Sequence, residues 1–364
     1  MKVLVATAAY PTADGKRPQY FVHSRNLYYL QAGINVTVLN FECKNSYLID
    51  GIPVIGLEQF KDTDYDLLIC HAANLRNHYK FLKKYNSYFK KIVFVFHGHE
   101  ILHLNKYYPK PFSYVKKSKI PFFVQDCYDT LKIALWKKYW LQNIDKIRLV
   151  FVSEWIRSQF YKETGFSKKH LKGYECVISN SVGSYFENNN YTPKDIKYDF
   201  ITVRANMDGS KYAVDIVVEL AKKNSQYSFL LIGKGKFFEH NNKPDNLTWI
   251  DKELTHEEIT AYINASRVAL LPTREDTQGL MACEMATFGI PLITSNIEVC
   301  LQVLKTCKSV AYIKNDEPDL IAAIEKLEHV NSTKKWREYC ADNTIMKEIS
   351  YLKKLAINNS YTEE

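Results

Sequence analysis

Residues 274–291, REDTQGLMACEMATFGIP, contain the stretch that decides the fold. An apolar run at 268–271 precedes this stretch and a second run at 291–294 ends it, and such short runs are typical of buried strands. Between the two runs, a loop with two acids and a glycine leads into a helix that we expect to begin near Gln278. A strand, a helix and another strand in this order predict a parallel sheet with a helical crossover.

The same alternation recurs on both sides of a polar segment, residues 188–195, which is the best candidate for a linker. The runs are apolar throughout, as is typical of parallel strands covered on both faces. The predicted fold class is therefore α/β, with two Rossmann-like, doubly wound parallel-sheet domains facing a central cleft. We expect an N-terminal domain at 1–187, a C-terminal domain at 188–335, and a helical tail at 336–364 that could pack back on the first domain. The other apolar runs lie at 3–6, 34–39, 67–70, 92–96, 149–152, 200–203 and 229–232.

The composition is that of a soluble globular protein, with 46% hydrophobic and 24% charged residues among 364. Lys and Arg number 49 against 40 Asp and Glu, which gives a net charge of +9. The excess belongs to residues 1–190, which hold 27 basic and 15 acidic side chains, and it indicates an anionic partner. No apolar stretch reaches the roughly 18 residues that a membrane-spanning helix needs. The eight scattered cysteines favour a reducing, cytoplasmic location.

Two acids of the opening stretch are candidates for ligand binding. Asp276 lies at the tip of the loop, where its carboxylate can accept hydrogen bonds from sugar hydroxyls. Glu284 falls two turns into the predicted helix and can accept hydrogen bonds from a ribose diol. Amides at a helix N-terminus bind phosphate without any special side chain. The alternative is structural, with Asp276 as an N-cap and Glu284 as a solvated helix residue.

The stretch resembles the signature of the retaining glycosyltransferases of family 4 (glycosyl transferases group 1), which have the GT-B fold. Their pattern is an acid, seven residues, a Glu, and then Gly-x-Pro before a strand. Asp276 and Glu284 have this spacing, and Gly289 and Pro291 complete the pattern. The chain departs from it in two places, because Asp replaces the usual Glu and the next two residues replace Gly-Phe.

The resemblance implies how the C-terminal domain binds a nucleoside diphosphate sugar as donor. It implies that Asp276 contacts the donor sugar, that Glu284 binds the ribose, and that the amides of the loop bind the diphosphate. Gly233, in a glycine turn after the strand at 229–232, is similar to a glycine turn of the family. The loop amides belong to Thr277, Gln278, Gly279, Leu280 and Met281.

Arg204 and Lys211 are candidates for holding the diphosphate. Arg204 follows the strand at 200–203, and Lys211 opens the next helix. Two cations at a strand-to-helix turn can stabilise a diphosphate when it binds and when it leaves. Family members have an Arg and a Lys here, usually five residues apart, whereas this chain spaces them by seven. The alternative is a surface pair without a ligand.

Two features of the N-terminal domain are similar to landmarks of the family. Gly15 follows the first strand, where the family has a glycine loop that faces donor and acceptor. His97 follows the strand at 92–96, and the resemblance implies that His97 faces the donor sugar with Glu100 near the acceptor. The family is metal-independent, and no cysteine or carboxylate completes a metal site around His97. We therefore expect no metal and no cofactor beyond the donor substrate.

Residues 104–140, the basic aromatic segment, combine lysines with aromatic side chains. This composition suits an anionic bilayer surface, where rings lie at the headgroup level and lysines pair with phosphate. The alternative is a solvated lysine face over core aromatics. No nucleic-acid-binding pattern is visible, so nucleic acid is not an expected partner. The residues are Tyr107, Tyr108, Phe112, Tyr114, Phe122, Phe123, Trp136, Tyr139 and Trp140, with Lys106, Lys110, Lys116, Lys117, Lys119, Lys132, Lys137 and Lys138.

The sequence therefore favours a retaining, hexosyltransferase-type glycosyltransferase that uses a nucleoside diphosphate sugar. The expected acceptor is a hydroxyl of a cell-envelope glycan or lipid-linked molecule, in the biosynthesis of polysaccharide, capsule or lipopolysaccharide. The expected location is cytoplasmic and peripheral on the inner face of the cell membrane. Two alternatives stay open: a catalytically weak glycosyltransferase-like partner subunit, and a sugar-nucleotide epimerase of the same fold.

Overall fold

The computed structural model describes residues 1–61, 64–116, 120–328 and 335–357 and divides the chain into two compact units. The first unit contains Met1–Leu104, Phe123–Ser181 and the chain from Ala341 onwards, and the second contains Asn105–Phe122 and Val182–Cys340. Lys117 and Lys119 of the basic aromatic segment, and the last seven residues of the expected tail, lie outside the described residues.

An eight-stranded sheet forms the centre of the first unit. Its strands are β1 (Lys2–Thr7), β2 (Asn35–Asn40), β3 (Tyr47–Ile49), β4 (Ile52–Ile55), β5 (Leu67–His71), β6 (Ile92–Phe96), β7 (Ile147–Phe151) and β8 (Glu175–Val177). Their order across the sheet is β3-β4-β2-β1-β5-β6-β7-β8, and only the edge pair β3-β4 is antiparallel among these. The helices up to residue 171 are α1 (Tyr20–Gln31), α2 (Lys80–Tyr85), α3 (Leu104–Tyr107), α4 (Phe122–Gln142), α5 (Glu154–Thr164) and α6 (Lys168–Leu171).

A six-stranded parallel sheet forms the centre of the second unit. Its strands are β9 (Tyr198–Asn206), β10 (Phe229–Lys234), β11 (Leu247–Ile250), β12 (Ser266–Leu271), β13 (Leu292–Ser295) and β14 (Val310–Ile313), in the order β11-β10-β9-β12-β13-β14. Its helices are α7 (Ser184–Asn188), α8 (Val214–Lys223), α9 (Phe237–His240), α10 (His256–Asn264), α11 (Leu280–Phe288), α12 (Glu298–Val303) and α13 (Leu320–Glu328). The prediction of two parallel-sheet α/β domains is confirmed.

Local sequence signals account for where these elements begin and end. All five residues of β6 are buried, as a continuous apolar run predicts. Helix α5 begins after Ser153, whose side chain accepts a hydrogen bond from the Ile156 amide at 3.2 Å, and it ends at Gly165 with a φ of +63°. Helix α10 begins with the capping box of Thr255 and Glu258 that its sequence predicts.

The aromatic residues of α4 divide between core and surface. Trp136 and Trp140 are buried and pack edge-on against Phe94 of β6. Phe122 and Phe123, at the start of the helix, are 59% and 71% exposed. The basic aromatic segment is therefore not one continuous surface. Trp136 and Trp140, near the C-terminal end of α4, are core rings, as the structural alternative predicts, whereas Phe122 and Phe123 at its N-terminal end are exposed to solvent.

Residues 105–122 contribute aromatic rings to the core of the second unit. Phe112 and Tyr114 pack against this core, and the Phe112 ring meets Phe237 with 5.3 Å between centroids. The Tyr114 hydroxyl donates a hydrogen bond to Asp208 at 2.9 Å. These two rings of the segment are therefore fixed by packing within the second unit.

A last helix, α14 (Ile345–Ile357), packs on α1 in the first unit. Its Glu348 is 1% exposed and accepts a hydrogen bond from Arg25 Nε at 2.8 Å and another from the Tyr29 hydroxyl. Arg25 Nη1 also donates to Asn180 at 2.8 Å. The first and last helices of the described chain are thus joined by a buried ion pair. Within the described residues, no helix has the length and apolarity needed to cross a membrane.

Candidate active site

The expected site residues of the second unit lie where its central strands end. In the sheet, β9 lies between β10 and β12, because the chain runs outward through β10 and β11 before it returns to β12 on the other side. Such a reversal of strand order opens a crevice at the carboxyl ends of the strands, where α/β sheets bind their ligands. The carboxyl ends of β9 and β12 are therefore the candidate site. Arg204 lies near the end of β9 and Lys211 follows that strand, while Asp276 follows β12.

Arg204, near the end of β9, is a buried cation with 7% of its surface exposed. Its Nη2 donates to the carbonyl oxygen of Pro272, directly after β12, at 2.6 Å, and its guanidinium lies 5.5 Å from the centre of the Tyr212 ring. Burial lowers the pKa of Arg204, while the charge of Asp276 raises it. Within the described residues, Arg204 Nε has no hydrogen-bond partner. An unsatisfied buried donor of this kind calls for an explanation, and a ligand supplies one.

Lys211 lies in the single 3-10 turn Ser210–Tyr212 that follows β9. Its carbonyl oxygen accepts hydrogen bonds from the Arg274 amide at 2.8 Å and the Thr273 hydroxyl at 3.0 Å, which fastens this turn to the loop after β12. Its ammonium lies 4.8 Å from the centre of the Tyr212 ring. No carboxylate in the described part of the chain forms an ion pair with Lys211, so its charge is available to an anionic ligand.

The Asp276 carboxylate turns back onto its own loop. Its Oδ1 accepts hydrogen bonds from the amides of Thr277 at 2.7 Å, Gln278 at 3.3 Å and Gly279 at 2.9 Å. Asp276 therefore holds the loop before the helix, but it is not the N-cap of the structural alternative, because the N-cap of α11 is Gly279. Three of the five amides expected to bind a diphosphate already have an acceptor, and Asp276 Oδ2 is the oxygen left for a ligand.

The helix after this loop begins at Leu280, two residues later than the sequence predicts. Gly279 precedes it with a φ of +72°, a conformation that favours glycine. The amides of Leu280 and Met281 lie in the first turn, where a helix offers no acceptor of its own. These two amides, rather than all five, remain for an anionic ligand.

Glu284 lies just over one turn into α11, not two, and is only 9% exposed. Burial raises the pKa of its carboxyl to about 7, and a hydrogen bond from the Gly183 amide acts in the opposite direction. A side chain at Gly183 would place its Cβ 3.1 Å from the His256 ring and 3.8 Å from Glu284 Oε1. The alternative of a solvated helix residue is therefore wrong for Glu284, which lies in a close-packed site.

Gly233 lets the ends of β9 and β10 approach each other. Its φ is +153°, and a Cβ at this position would lie 2.0 Å from the carbonyl oxygen of Arg204. The register between the two strands shifts here, between Ile232 and Lys234. The Gly233 carbonyl accepts a hydrogen bond from Trp249 Nε1 at 2.9 Å. The glycine thus positions the backbone that carries Arg204.

Glu275 is a candidate residue that the sequence patterns do not single out. It is 5% exposed, and its Oε1 has no hydrogen-bond partner within the described ranges. Burial and the charge of Asp276 raise the pKa of its carboxyl to about 7, while Lys211 lowers it. The two adjacent acids are visible in the sequence, but the family pattern uses only one of them.

His97 follows β6 in the first unit and is half-buried. Its Nε2 lies 3.1 Å from His71 Nδ1, and its ring centroid lies 4.6 Å from that of Phe21. Burial and the charge of Arg25 lower the pKa of His97 well below its ordinary value. The imidazole is therefore neutral near pH 7 and can act as a hydrogen-bond donor or acceptor.

Glu100 has a structural role in the turn after β6. It is 2% exposed, and its two carboxylate oxygens accept hydrogen bonds from the amides of His97 at 2.8 Å and Gly98 at 2.7 Å. The carboxylate therefore fixes the turn that carries His97.

Gly15 lies in an exposed turn after β1. Its amide donates to the carbonyl of Thr12 at 3.1 Å, and its φ is +89°. A Cβ at this position would meet nothing within 4 Å, so the glycine serves the backbone angle and not a close approach. Across the described ranges, no group of three or more His, Cys, Asp or Glu side chains could hold a metal ion.

Comparison with known proteins gives a family match over part of the second unit. Residues 200–329, which carry the strands and loops of the candidate site, match the model of the family described as Glycosyl transferases group 1. No curated protein sequence is similar enough to count as a match.

Solved structures of similar fold cover almost the whole chain. Sucrose-phosphate synthase from Thermosynechococcus elongatus has a TM-score of 0.62 and 12% identity over 99% of this chain and 97% of its own. An E. coli structure described as trehalose-6-phosphate bound with UDP-2-fluoro glucose has a TM-score of 0.57 and 13% identity over 99% and 96%. WaaG, a glycosyltransferase involved in lipopolysaccharide biosynthesis, has a TM-score of 0.56 and 10% identity over 99% and 96%. At these identities the likeness establishes the GT-B fold alone.

Proposed function

We propose that the protein is a retaining, metal-independent glycosyltransferase that takes its sugar from a nucleoside diphosphate sugar. The observation that carries the proposal is the pair of cations at the end of β9, the buried Arg204 and the unpaired Lys211, with the acid loop of the neighbouring strand β12. Cations of this kind suit a diphosphate, and carboxylates suit sugar hydroxyls. The match of residues 200–329 to glycosyl transferases group 1 supports the same reaction class.

In this proposal, Arg204 and Lys211 bind the donor diphosphate and stabilise the charge that grows as the sugar-phosphate bond breaks. The first-turn amides of α11 add hydrogen bonds to the same anion. Asp276 Oδ2 binds the donor sugar, and Glu284 accepts hydrogen bonds from the ribose. No side chain is assigned as nucleophile or general base, and in this proposal the leaving phosphate takes the proton of the acceptor hydroxyl. The family resemblance assigns His97 to the donor sugar.

We propose a cell-envelope glycan or a lipid-linked molecule as acceptor, with the protein cytoplasmic and bound at the inner face of the membrane. The exposed rings of Phe122 and Phe123 support this location, because aromatic side chains are stable at the level of lipid headgroups. The positive balance of residues 1–190 supports an anionic surface as partner. The lipopolysaccharide role of WaaG agrees with this choice of acceptor.

A thermal-shift screen of nucleoside diphosphates and their sugars tests the donor. A ligand that binds the folded state alone raises the melting temperature, so at least one nucleoside diphosphate is expected to stabilise the protein. Lys211→Ala removes an ammonium without a carboxylate partner and should weaken the best nucleoside diphosphate roughly 10- to 100-fold. Lys223→Ala, at an exposed lysine of α8, is the matched control and should bind like the wild type.

Release of nucleoside diphosphate, measured with and without acceptor, separates the proposal from its alternatives. A glycosyltransferase releases the diphosphate faster when an acceptor is present. An epimerase converts the donor without net release, and an inactive partner subunit binds without turnover. A broad donor panel that is neither bound nor turned over contradicts the proposed function.

A further inference from the structure

Two consecutive acids in the loop after β12 differ in what their carboxylates contact. Asp276 uses Oδ1 to accept three amides of its own loop. Glu275 is more deeply buried, yet its Oε1 has no hydrogen-bond partner in the described part of the chain. The Glu275 backbone is fixed, because its carbonyl oxygen accepts a hydrogen bond from the Thr273 hydroxyl at 3.1 Å.

The neighbouring cations do not form an ion pair with Glu275. Arg274 turns to Asp215 instead and makes two hydrogen bonds to it, at 2.8 and 2.6 Å. Lys211 attracts Glu275 electrostatically, but the two form no ion pair within 4 Å. A buried carboxyl without a partner costs free energy, which a fold tolerates where a ligand completes the hydrogen bond.

Arg204 provides a second, independent sign of a ligand at the same place. Its Nε is also buried and without a partner in the described residues. Arg204 Nη2 donates to the carbonyl oxygen of Pro272 at 2.6 Å, so Arg204 lies against the loop that carries Glu275 and Asp276. The two unsatisfied polar atoms therefore belong to one site, at the carboxyl ends of β9 and β12.

We propose that Glu275, beside Asp276, makes a second carboxyl contact to the donor sugar. The donor sugar is then neutral and has hydroxyl groups on the side that faces these two acids. This inference rests on the proposed function. A hydroxyl can donate to a carboxylate and accept from a carboxyl group, so it satisfies Glu275 in either protonation state. A sugar that carries its own carboxylate would meet the charge of Asp276 and be disfavoured.

Binding of two matched ligands tests the contact. The first ligand is the nucleoside diphosphate that stabilises the wild type most, and the second is the same nucleotide carrying a neutral hexose. For Glu275→Ala, the nucleoside diphosphate should bind within about twofold of the wild type, whereas the hexose derivative should bind roughly tenfold more weakly. Glu275→Gln keeps a hydrogen-bonding group of the same shape and should restore most of the affinity for the hexose derivative. Glu317→Ala, at an exposed acid, is the control and should change neither affinity.

The outcomes separate this inference from the proposed function. If the wild type binds no nucleoside diphosphate, both the proposed function and this inference fail. If Glu275→Ala weakens the two ligands equally, or weakens neither, the inference fails while the proposed function stands. The wild type should also bind the corresponding hexuronic acid nucleotide at least about tenfold more weakly than the hexose nucleotide. Equal binding of these two would overturn the assignment of a neutral sugar.

Discussion

Glu284 shows at the scale of one residue how burial converts a side chain into a pH-sensitive group. Burial raises the pKa of its carboxyl to about 7, whereas the unfolded carboxyl has a pKa of about 4.3. As the pH rises between these values, the unfolded state loses its proton first and the folded state binds more protons. Folding stability therefore falls with rising pH, by up to about 3 kcal/mol above pH 7.

Glu284→Gln removes this titration, because an amide has no proton to lose in this range. The free energy of unfolding of the variant, relative to the wild type, should rise from pH 5 to pH 8 by up to about 3 kcal/mol. Urea denaturation at both pH values measures the difference. Glu219→Gln, at an exposed carboxyl of α8, is the surface control for the substitution itself. A Glu284→Gln difference that is the same at both pH values would contradict the assigned burial effect.

The sequence singles out Arg204, Asp276 and Glu284 as candidates by type and spacing, but it could not assign their hydrogen bonds. Asp276 accepts hydrogen bonds from its own loop because the backbone turns at Gly279. The spacing between Asp276 and Glu284 does not predict that turn. Glu275 was missed for a related reason. Whether an acid next to another acid is buried depends on the packing of β9 and β12, which local sequence does not specify.

At the scale of secondary structure elements, Gly233 determines how closely two strands meet at the site. A Cβ there would lie 2.0 Å from the Arg204 carbonyl, so Gly233→Ala must separate the ends of β9 and β10. We expect a loss of at least about 3 kcal/mol of folding stability, together with weaker nucleoside diphosphate binding.

Gly15→Ala is a matched control for this change. Its φ is also positive, but its Cβ would meet nothing within 4 Å, so only the backbone cost of about 1 to 2 kcal/mol applies. Chemical denaturation of both variants measures the two losses. If Gly15→Ala costs as much as Gly233→Ala, the close approach of the two strands is not what requires glycine.

Helix α4 presents exposed apolar side chains at its N-terminal end, and this element carries the proposed membrane contact. Replacing Phe122 and Phe123 together with serine removes the most exposed rings and should reduce binding to vesicles that contain anionic lipid. Co-sedimentation with vesicles measures the bound fraction. Leu141→Ser, at an apolar residue that is 50% exposed at the other end of the helix, is the control and should bind like the wild type. Equal binding by all three proteins would contradict the contact.

The strands were largely predictable, because a continuous apolar run such as β6 is stable mainly as a strand of a sheet that is covered on both faces. The antiparallel edge pair β3-β4 was not predicted, since its short strands carry little hydrophobic pattern. The division of α4 into core and surface was also not predicted. Its aromatic residues look alike in sequence, and contacts with rings from distant parts of the chain, such as Phe94 and Phe96, cover Trp136 and Trp140.

At the scale of the whole molecule, the chain returns to its first unit after completing the second. Arg25 and Glu348 are 323 residues apart, yet they form a buried ion pair between α1 and α14. Nothing in the local sequence of either helix specifies this partner. The pairing of distant segments is decided by the arrangement of the complete fold. The sequence could therefore suggest that the C-terminal tail packs on the first domain, but it could not name the residues in contact.

This ion pair predicts a strong coupling between the two ends of the chain. Glu348→Ala leaves the Arg25 guanidinium buried without its carboxylate and should cost about 3 to 5 kcal/mol of folding stability. Arg25→Met with Glu348→Leu removes both charges and fills similar volume, so the double variant should lose much less than the sum of the single variants. The exposed pair Lys223 and Glu219 is the reference, where the same cycle should give at most about 0.5 kcal/mol. Additive losses at Arg25 and Glu348 would mean that α14 is held on α1 by apolar packing and not by the buried charges.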